Sequence, residues 1–401
     1  MIENKKQTNH FLLTLLIILC GTAYIFFYQF RLPFRADSFL AGMSVGLVAL
    51  TLLNRKIVLP KQTLVFVLVN IASAVGVLYS TRPTEGFREA VLFLLFTGIF
   101  VLSASNLFLI EKFIQVLHWM SIFVVATSII QFLLPGTFHD LMDGWLRDDA
   151  YQQLIWSYSV DDAYAGIAAY TPNTTFSAAI VCGHALLNLM ERRTHKRGRS
   201  AVNICLMGMS LYTMVLCSKR GIFVATMAAI VLLYCYLNQR RDVLLKLLGI
   251  VAVSIVAVLV LYQTNEYVAA FVNRFLAEDF LTGRGKIYST LLSDFWNGNI
   301  LFGRGTGATY ALADTGAHNI YFQILYDHGL VLSLPYFLFL AYNLCTAFRN
   351  ECPLSIFMQT IFLVYGLSGN PLYSSMFMIM YVYYVLYAVK MPSIKVLAAT
   401  A

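Results

Sequence analysis

The chain of 401 residues is 59% hydrophobic and only 12% charged, whereas soluble domains sit near about 45–50% apolar and about 25% charged. That balance excludes a water-soluble globular enzyme, a disordered chain and a collagen-like one. The formal net charge of +8 is no nucleic-acid footprint, because the basic residues of a membrane protein collect in its short cytoplasmic loops.

Apolar runs able to cross a hydrocarbon core of about 30 Å occupy 11–29, 38–53, 63–80, 90–110, 114–134, 174–190, 201–217, 221–238, 243–262, 330–347, 354–368 and 371–389. All twelve are predicted to be helices of a single transmembrane domain over 1–401. The first follows Lys5 and Lys6 but is longer than a signal-peptide core and lacks a clean small-residue cleavage site, so it is read as an uncleaved helix. With both termini in the cytoplasm, 17 of the 28 basic residues and 5 of the 20 acids lie inside, giving +12 inside and −4 outside. The positive-inside asymmetry supports this orientation. No internal repeat is evident, which weighs against a secondary transporter. The seven cysteines, Cys20, Cys182, Cys205, Cys217, Cys235, Cys345 and Cys352, all avoid the two long outer connections. They imply no disulfide framework and read as small apolar residues in helices.

Those connections, 135–173 and 263–329, are too long to be mere linkers and are expected to carry function. The first places Trp145, Tyr151, Trp156, Tyr158, Tyr164 and Tyr170 among six aspartates. Aromatic faces stack on the C–H faces of sugars and carboxylates accept their hydroxyl hydrogens, although an interfacial aromatic belt has the same composition. The aspartates lack the ligand spacing of a dedicated cation site. Asn173-Thr174-Thr175 fits a glycosylation acceptor, but it abuts a span.

Ser218-Lys219-Arg220-Gly221 packs two cations into a turn between spans, where charge is costly unless it faces a polar cavity or partner. Snorkelling accounts for it, and so does an anion site, since Arg offers a planar fork to phosphate and Lys a mobile point charge. Thr282-Gly283-Arg284-Gly285-Lys286 and Gly303-Arg304-Gly305-Thr306-Gly307 resemble a dinucleotide fingerprint only out of context, having no preceding strand; no Walker A sequence suggests an ATP-driven pump. From His318 to Gly329, apolar residues at 320, 321, 324 and 325 predict a short amphipathic helix with His318 near its start. A neutral imidazole there suits general-base work, and nearby arginines would keep it neutral. Arg82 and Arg88, before the fourth span, receive no role.

Pro172-Asn173 opening a span, the Ser218–Gly221 turn, Gly283-Arg284, Phe302-Gly303-x-Gly305, and His318-Asn319 with ten residues between His318 and Gly329 together resemble the O-antigen ligase/polymerase superfamily of bacterial membrane glycosyltransferases. The resemblance implies an all-α enzyme of the GT-C type with about 12 transmembrane helices, in the bacterial cytoplasmic membrane, with its active site on the periplasmic or extracellular face. It implies a glycan donor on undecaprenyl pyrophosphate, and neither cofactor nor metal. Carried onto this chain, Arg220 and Arg284 bind the pyrophosphate, with Lys219 and Arg304 as further candidates. His318 is the general base, and Asn173, Trp156 and Asn319 contact glycan. The expected function is a surface-polysaccharide polymerase that uses a second lipid-linked repeat unit as acceptor, with a chain-length regulator as a possible partner. A ligase acting on lipid A core is the alternative, and a lipid-linked sugar transporter or flippase is the alternative of another class.

Overall fold

The apolar runs become helices whose ends are set by proline, asparagine and glycine. The computed structural model describes residues 2–33, 35–54, 57–190, 197–237, 256, 258–276, 284–313 and 316–400. The first part of the chain forms α1 (Ile2–Phe27), α2 (Asp37–Asn54), α3 (Gln62–Val77), α4 (Pro83–Ser103) and α5 (Leu107–Leu133). Next come α6 (Pro135–Trp145), α7 (Asp148–Asp161), α8 (Thr171–Met190), α9 (Arg197–Leu216) and α10 (Arg220–Leu237). The remainder forms α11 (Glu266–Leu276), α12 (Arg284–Trp296), α13 (Thr309–Ala313), α14 (Ile320–Arg349), α15 (Pro353–Tyr365) and α16 (Ser375–Thr400). Among the described residues there is no strand, only an isolated bridge between Phe30 and Leu146.

Among the described residues seven helices, α1, α2, α4, α5, α10, α14 and α16, are long and apolar enough to cross a membrane, and α3, α9 and α15 contribute shorter apolar helices. Leu52, Leu64 and Leu94 are 71%, 65% and 63% exposed on the outer faces of their helices. A water-soluble fold does not tolerate so extensive an apolar exterior. The fold is an all-α polytopic membrane bundle, as its composition predicts.

Several boundaries differ from the sequence reading. Runs predicted at 90–110 and 114–134 are divided earlier: α4 starts at Pro83, whose fixed φ suits a first helical turn, and ends at Ser103. Asn106 then caps α5, its side chain accepting from the Leu109 N–H at 3.0 Å. The polar break spans so few residues that hydrophobicity alone passes over it. Connection 135–173 is largely helical, because Pro135 and the Asp148-Asp149 pair favour helix starts. Most of the span predicted at 243–262 lies outside the described residues, as do Thr282, Gly283, Arg192, Arg193, Lys196, Arg240, Arg241 and Lys246.

In the bundle α10 packs on α15, α8 on α9 and α1 on α2, while α3 lies against both α4 and α14. Phe66 anchors that last junction, with ring centroids 4.5 Å from Phe100 and 4.7 Å from Phe339. The predicted helix after His318 is continuous with the tenth predicted span as α14, but Gly329 interrupts it at φ 63° and ψ −169°, a region essentially reserved for glycine. At this break the Leu330 and Val331 N–H groups donate to Ile300 and Leu301 carbonyls, each at 2.9 Å. A Cβ on Gly329 would overlap the Gly303 nitrogen, and one on Gly303 would overlap the Gly329 nitrogen. Two backbones cross here, which gives glycine at 303 and at 329 a structural reason.

Candidate active site

The site is assembled by a short loop, 366–370, between α15 and the 3₁₀ turn Pro371–Tyr373. Three separate segments dock on it. From α9, Ser218 adopts a left-handed φ of 53°, which short polar residues tolerate better than bulky ones. The chain thereby reverses and starts α10 at Arg220, placing Lys219 and Arg220 at a helix N-terminus, a natural setting for an anion. Gly221 lies directly against Ser368, and a Cβ there would overlap the Ser368 hydroxyl.

The second segment is the start of α12. Arg284, its first residue, donates from Nη1 to the Ser368 carbonyl at 2.6 Å, using part of its five-donor fork. The third is the start of α14, where the Ile320 N–H donates to the Gly366 carbonyl at 2.8 Å. Asn319 caps this helix, its side-chain oxygen accepting from the Tyr321 and Phe322 N–H groups at 3.0 and 3.1 Å. Its amide donates to the Leu367 carbonyl at 3.1 Å. Asn319 is 7% exposed, so its visible work is to cap α14 and tie it to the loop.

His318 precedes that cap at φ 53°. Its carbonyl accepts from the Tyr288 hydroxyl at 3.4 Å, and the Tyr288 ring stacks on Phe322 with centroids 5.1 Å apart. Partial burial, reinforced by the positive charges of Arg284 and Lys219, holds the imidazole below its ordinary pKa. The ring is therefore neutral at pH 7 and able to take a proton. The same burial raises the Tyr288 phenol, with Arg284 opposing the shift. One neutral base and at least two cations therefore share a neighbourhood built from residues far apart in sequence.

Arg304 is held apart from this cluster by its own partners. Its guanidinium grips the Asp294 carboxylate at 2.8 and 2.9 Å and donates to the Asp294 carbonyl at 2.9 Å. The Tyr326 hydroxyl donates to the same carboxylate at 2.8 Å. The surrounding glycine-rich run is a clasp: Gly303, Gly305 and Gly307 have φ of 73°, 94° and 78°. Thr306 donates to the Gly76 and Ser73 carbonyls of α3 at 3.2 and 2.8 Å, and buried Asp327 accepts from the Thr309 N–H and hydroxyl at 2.8 and 2.7 Å.

Trp156 sits on α7, 52% exposed. Asn173 lies in the first turn of α8 and lines a separate cavity with Arg88, Tyr28 and Tyr373. Sequence reasoning missed Ser368 and Tyr288, which act through a carbonyl and a ring face and carry no motif. It also missed Asp327, which sits within the segment singled out around His318. No group of three or more His, Cys, Asp or Glu gathers in metal-binding geometry among the described residues.

The apolar helices and this cationic, histidine-bearing layer define a multi-pass membrane protein with an enzyme-like site at one end of its bundle. Residues 205–337, a third of the chain, match the family model described as O-antigen ligase. The matched segment contains Lys219, Arg220, Arg284, Arg304, His318 and Asn319. Over that segment the chain is similar to the O-antigen ligase family, and the match supports its resemblance to the O-antigen ligase/polymerase superfamily. A search of curated proteins finds no match.

Proposed function

We propose that the protein is a bacterial surface-polysaccharide polymerase that moves a glycan from undecaprenyl pyrophosphate to a sugar hydroxyl of another lipid-linked repeat unit. The observation that supports this reading most directly is the convergence of the Lys219–Gly221 turn, Arg284 and the His318–Asn319 segment on loop 366–370.

In this mechanism His318 accepts the acceptor hydroxyl proton as the oxygen attacks C1 of the donor's reducing-end sugar from the face opposite the leaving group. The new glycosidic C–O bond forms, the bond from C1 to the pyrophosphate oxygen breaks, and undecaprenyl pyrophosphate departs with the electron pair. The anomeric centre inverts. Arg220, Arg284 and Lys219 stabilise the charge that grows on the departing group, usually a large catalytic contribution when the donors are preorganised. The chemistry uses neither cofactor nor metal. Arg304, held by Asp294, acts in this reading by bracing the outer layer. Asn319 presents His318, and Trp156 and Asn173 serve the glycan. The site faces the periplasm or the cell exterior with both termini in the cytoplasm, and a chain-length regulator is a compatible partner.

The family description, O-antigen ligase, favours a second reading in which the same chemistry delivers the glycan to lipid A core or another terminal acceptor. Purified protein supplied with an undecaprenyl-pyrophosphate oligosaccharide separates the two readings when released undecaprenyl pyrophosphate and product length are measured. A product ladder that disappears in His318→Ala supports the polymerase. Turnover that starts only when a core acceptor is added supports the ligase, and no turnover with any acceptor sinks both.

A further inference from the structure

A cavity of about 1200 Å³ lies at the same end of the bundle as loop 366–370, and of its lining the mechanism above uses only Asn173. Its wall includes Tyr373, Ser374 and Ser375, which follow Ser368 by five to seven residues. The cavity is larger than the roughly 300–1,000 Å³ typical of small-molecule pockets, and its size suits an oligosaccharide headgroup. Four arginines line it, Arg31, Arg35, Arg88 and Arg147, against one acid, Asp37.

The four differ in commitment. Arg31 and Arg147 pair with Asp148 and Asp149 at 2.7 and 3.1 Å, and those aspartates are 92% and 62% exposed. These rim pairs are solvent-screened and exchangeable. Among the described residues, neither Arg35 nor Arg88 has an ion-pair partner. Tyrosines supply faces suited to sugar rings: Tyr28 stacks on Tyr170 with centroids 6.4 Å apart and carries the Arg147 guanidinium 5.9 Å from its ring. Leu40, Leu92 and Met376 make part of the wall apolar, and they belong to α2, α4 and α16, all helices of spanning length. A soluble anion has no use for that apolar wall; a headgroup carried on a lipid does.

We infer that this cavity binds the acceptor, an anionic lipid-linked glycan, with Arg35 and Arg88 on its phosphates and Tyr28 against its first sugars. The inference rests on the glycosyl-transfer reading above and adds a second, separate lipid-phosphate site to it. It also gives Arg88 and Asn173 a common place in the molecule.

The test is stoichiometric. The protein is placed in phosphatidylcholine nanodiscs and titrated with a fluorescent undecaprenyl-pyrophosphate disaccharide. Wild type should bind about two equivalents, one on each arginine set. Arg35→Ala/Arg88→Ala should lose one, and Arg220→Ala/Arg284→Ala should lose the other. Leu92→Trp, which fills the cavity from its apolar wall one helical turn from Arg88 and leaves all four arginines in the chain, should lose the same equivalent as Arg35→Ala/Arg88→Ala and so covers the case in which that variant misfolds. A single equivalent in wild type, or both equivalents retained in Arg35→Ala/Arg88→Ala and in Leu92→Trp, overturns the inference. So does displacement of the probe from Arg220→Ala/Arg284→Ala by inorganic pyrophosphate or phosphatidylglycerol as readily as by the unlabelled disaccharide. If Arg220→Ala/Arg284→Ala instead keeps both equivalents while the cavity variants lose one, the cavity stands and the pyrophosphate role of the candidate active site fails.

Discussion

At the scale of single residues, the proposed chemistry depends on a base kept neutral by its surroundings and cations held in fixed orientation. Burial and the charges of Arg284 and Lys219 push His318 below its usual value of 6.5. The competent form is the neutral ring, so transfer should fall only as pH drops through that lowered pKa, leaving the acid limb of the rate profile below 6.5. Arg284→Gln removes one of the charges responsible. The limb should then move upward toward the ordinary histidine value, in addition to any loss of rate; a limb that stays put would mean that Arg284 does not act on His318. Arg220→Lys tests geometry apart from charge. A lysine keeps the cation but loses the planar fork, and turnover should fall by about a hundredfold, the scale of one lost transition-state donor. Full activity in a release assay for undecaprenyl pyrophosphate would remove Arg220 from the pyrophosphate.

At the scale of elements, α14 carries the site at its start and its own break nine residues into the helix, at Gly329. Asn319→Ala removes the cap of α14 and the bond to Leu367, and should cost about 1 kcal/mol from the cap alone. Thermal unfolding in detergent reads this, and an unchanged midpoint would deny Asn319 its anchoring role. Gly329→Ala should cost more, about 1–3 kcal/mol from the left-handed backbone, with further loss because the Cβ meets Gly303. These elements also mark what was legible from sequence. Seven of the twelve runs fall on helices of spanning length among the described residues, since apolar runs announce helices, while Arg284 and His318 drew notice because cations and histidine stand out in an apolar chain. The partnerships were not legible: Arg304 read as a free cation because Asp294, ten residues earlier, gives no local sign of being its partner. Loop 366–370 works through carbonyls, which every residue possesses. The separation of α4 from α5 was blurred because Ala104 and Ser105 scarcely interrupt hydrophobicity.

At the scale of the whole molecule, one end of the bundle holds the candidate site, the glycine clasp and the arginine-lined cavity. The α1–α2 connection meets the segment after α6, with the Arg31 N–H on the Trp145 carbonyl at 2.8 Å and the Arg147 N–H on the Gln29 carbonyl at 2.9 Å. The end of α3 holds Thr306, and the end of α15 holds the start of α14. Distant connections that grip one another in this way make a single layer over the helices, and helices joined by such connections must present their other ends to the opposite side. The proposed reaction needs this layer on the face where lipid-linked glycans are displayed, and the excess of basic residues in the opposite connections is the force that would orient it. Asn297→Cys, in the exposed turn after α12, and Leu59→Cys, in the α2–α3 connection and 66% exposed, are reporters for the two ends in a background lacking the seven native cysteines. A membrane-impermeant maleimide added to intact spheroplasts should label Asn297→Cys at once and Leu59→Cys only after permeabilisation. The opposite order would put His318 and its arginines in the cytoplasm, away from the proposed substrate face, and labelling of both without permeabilisation would contradict a bundle with two sealed faces.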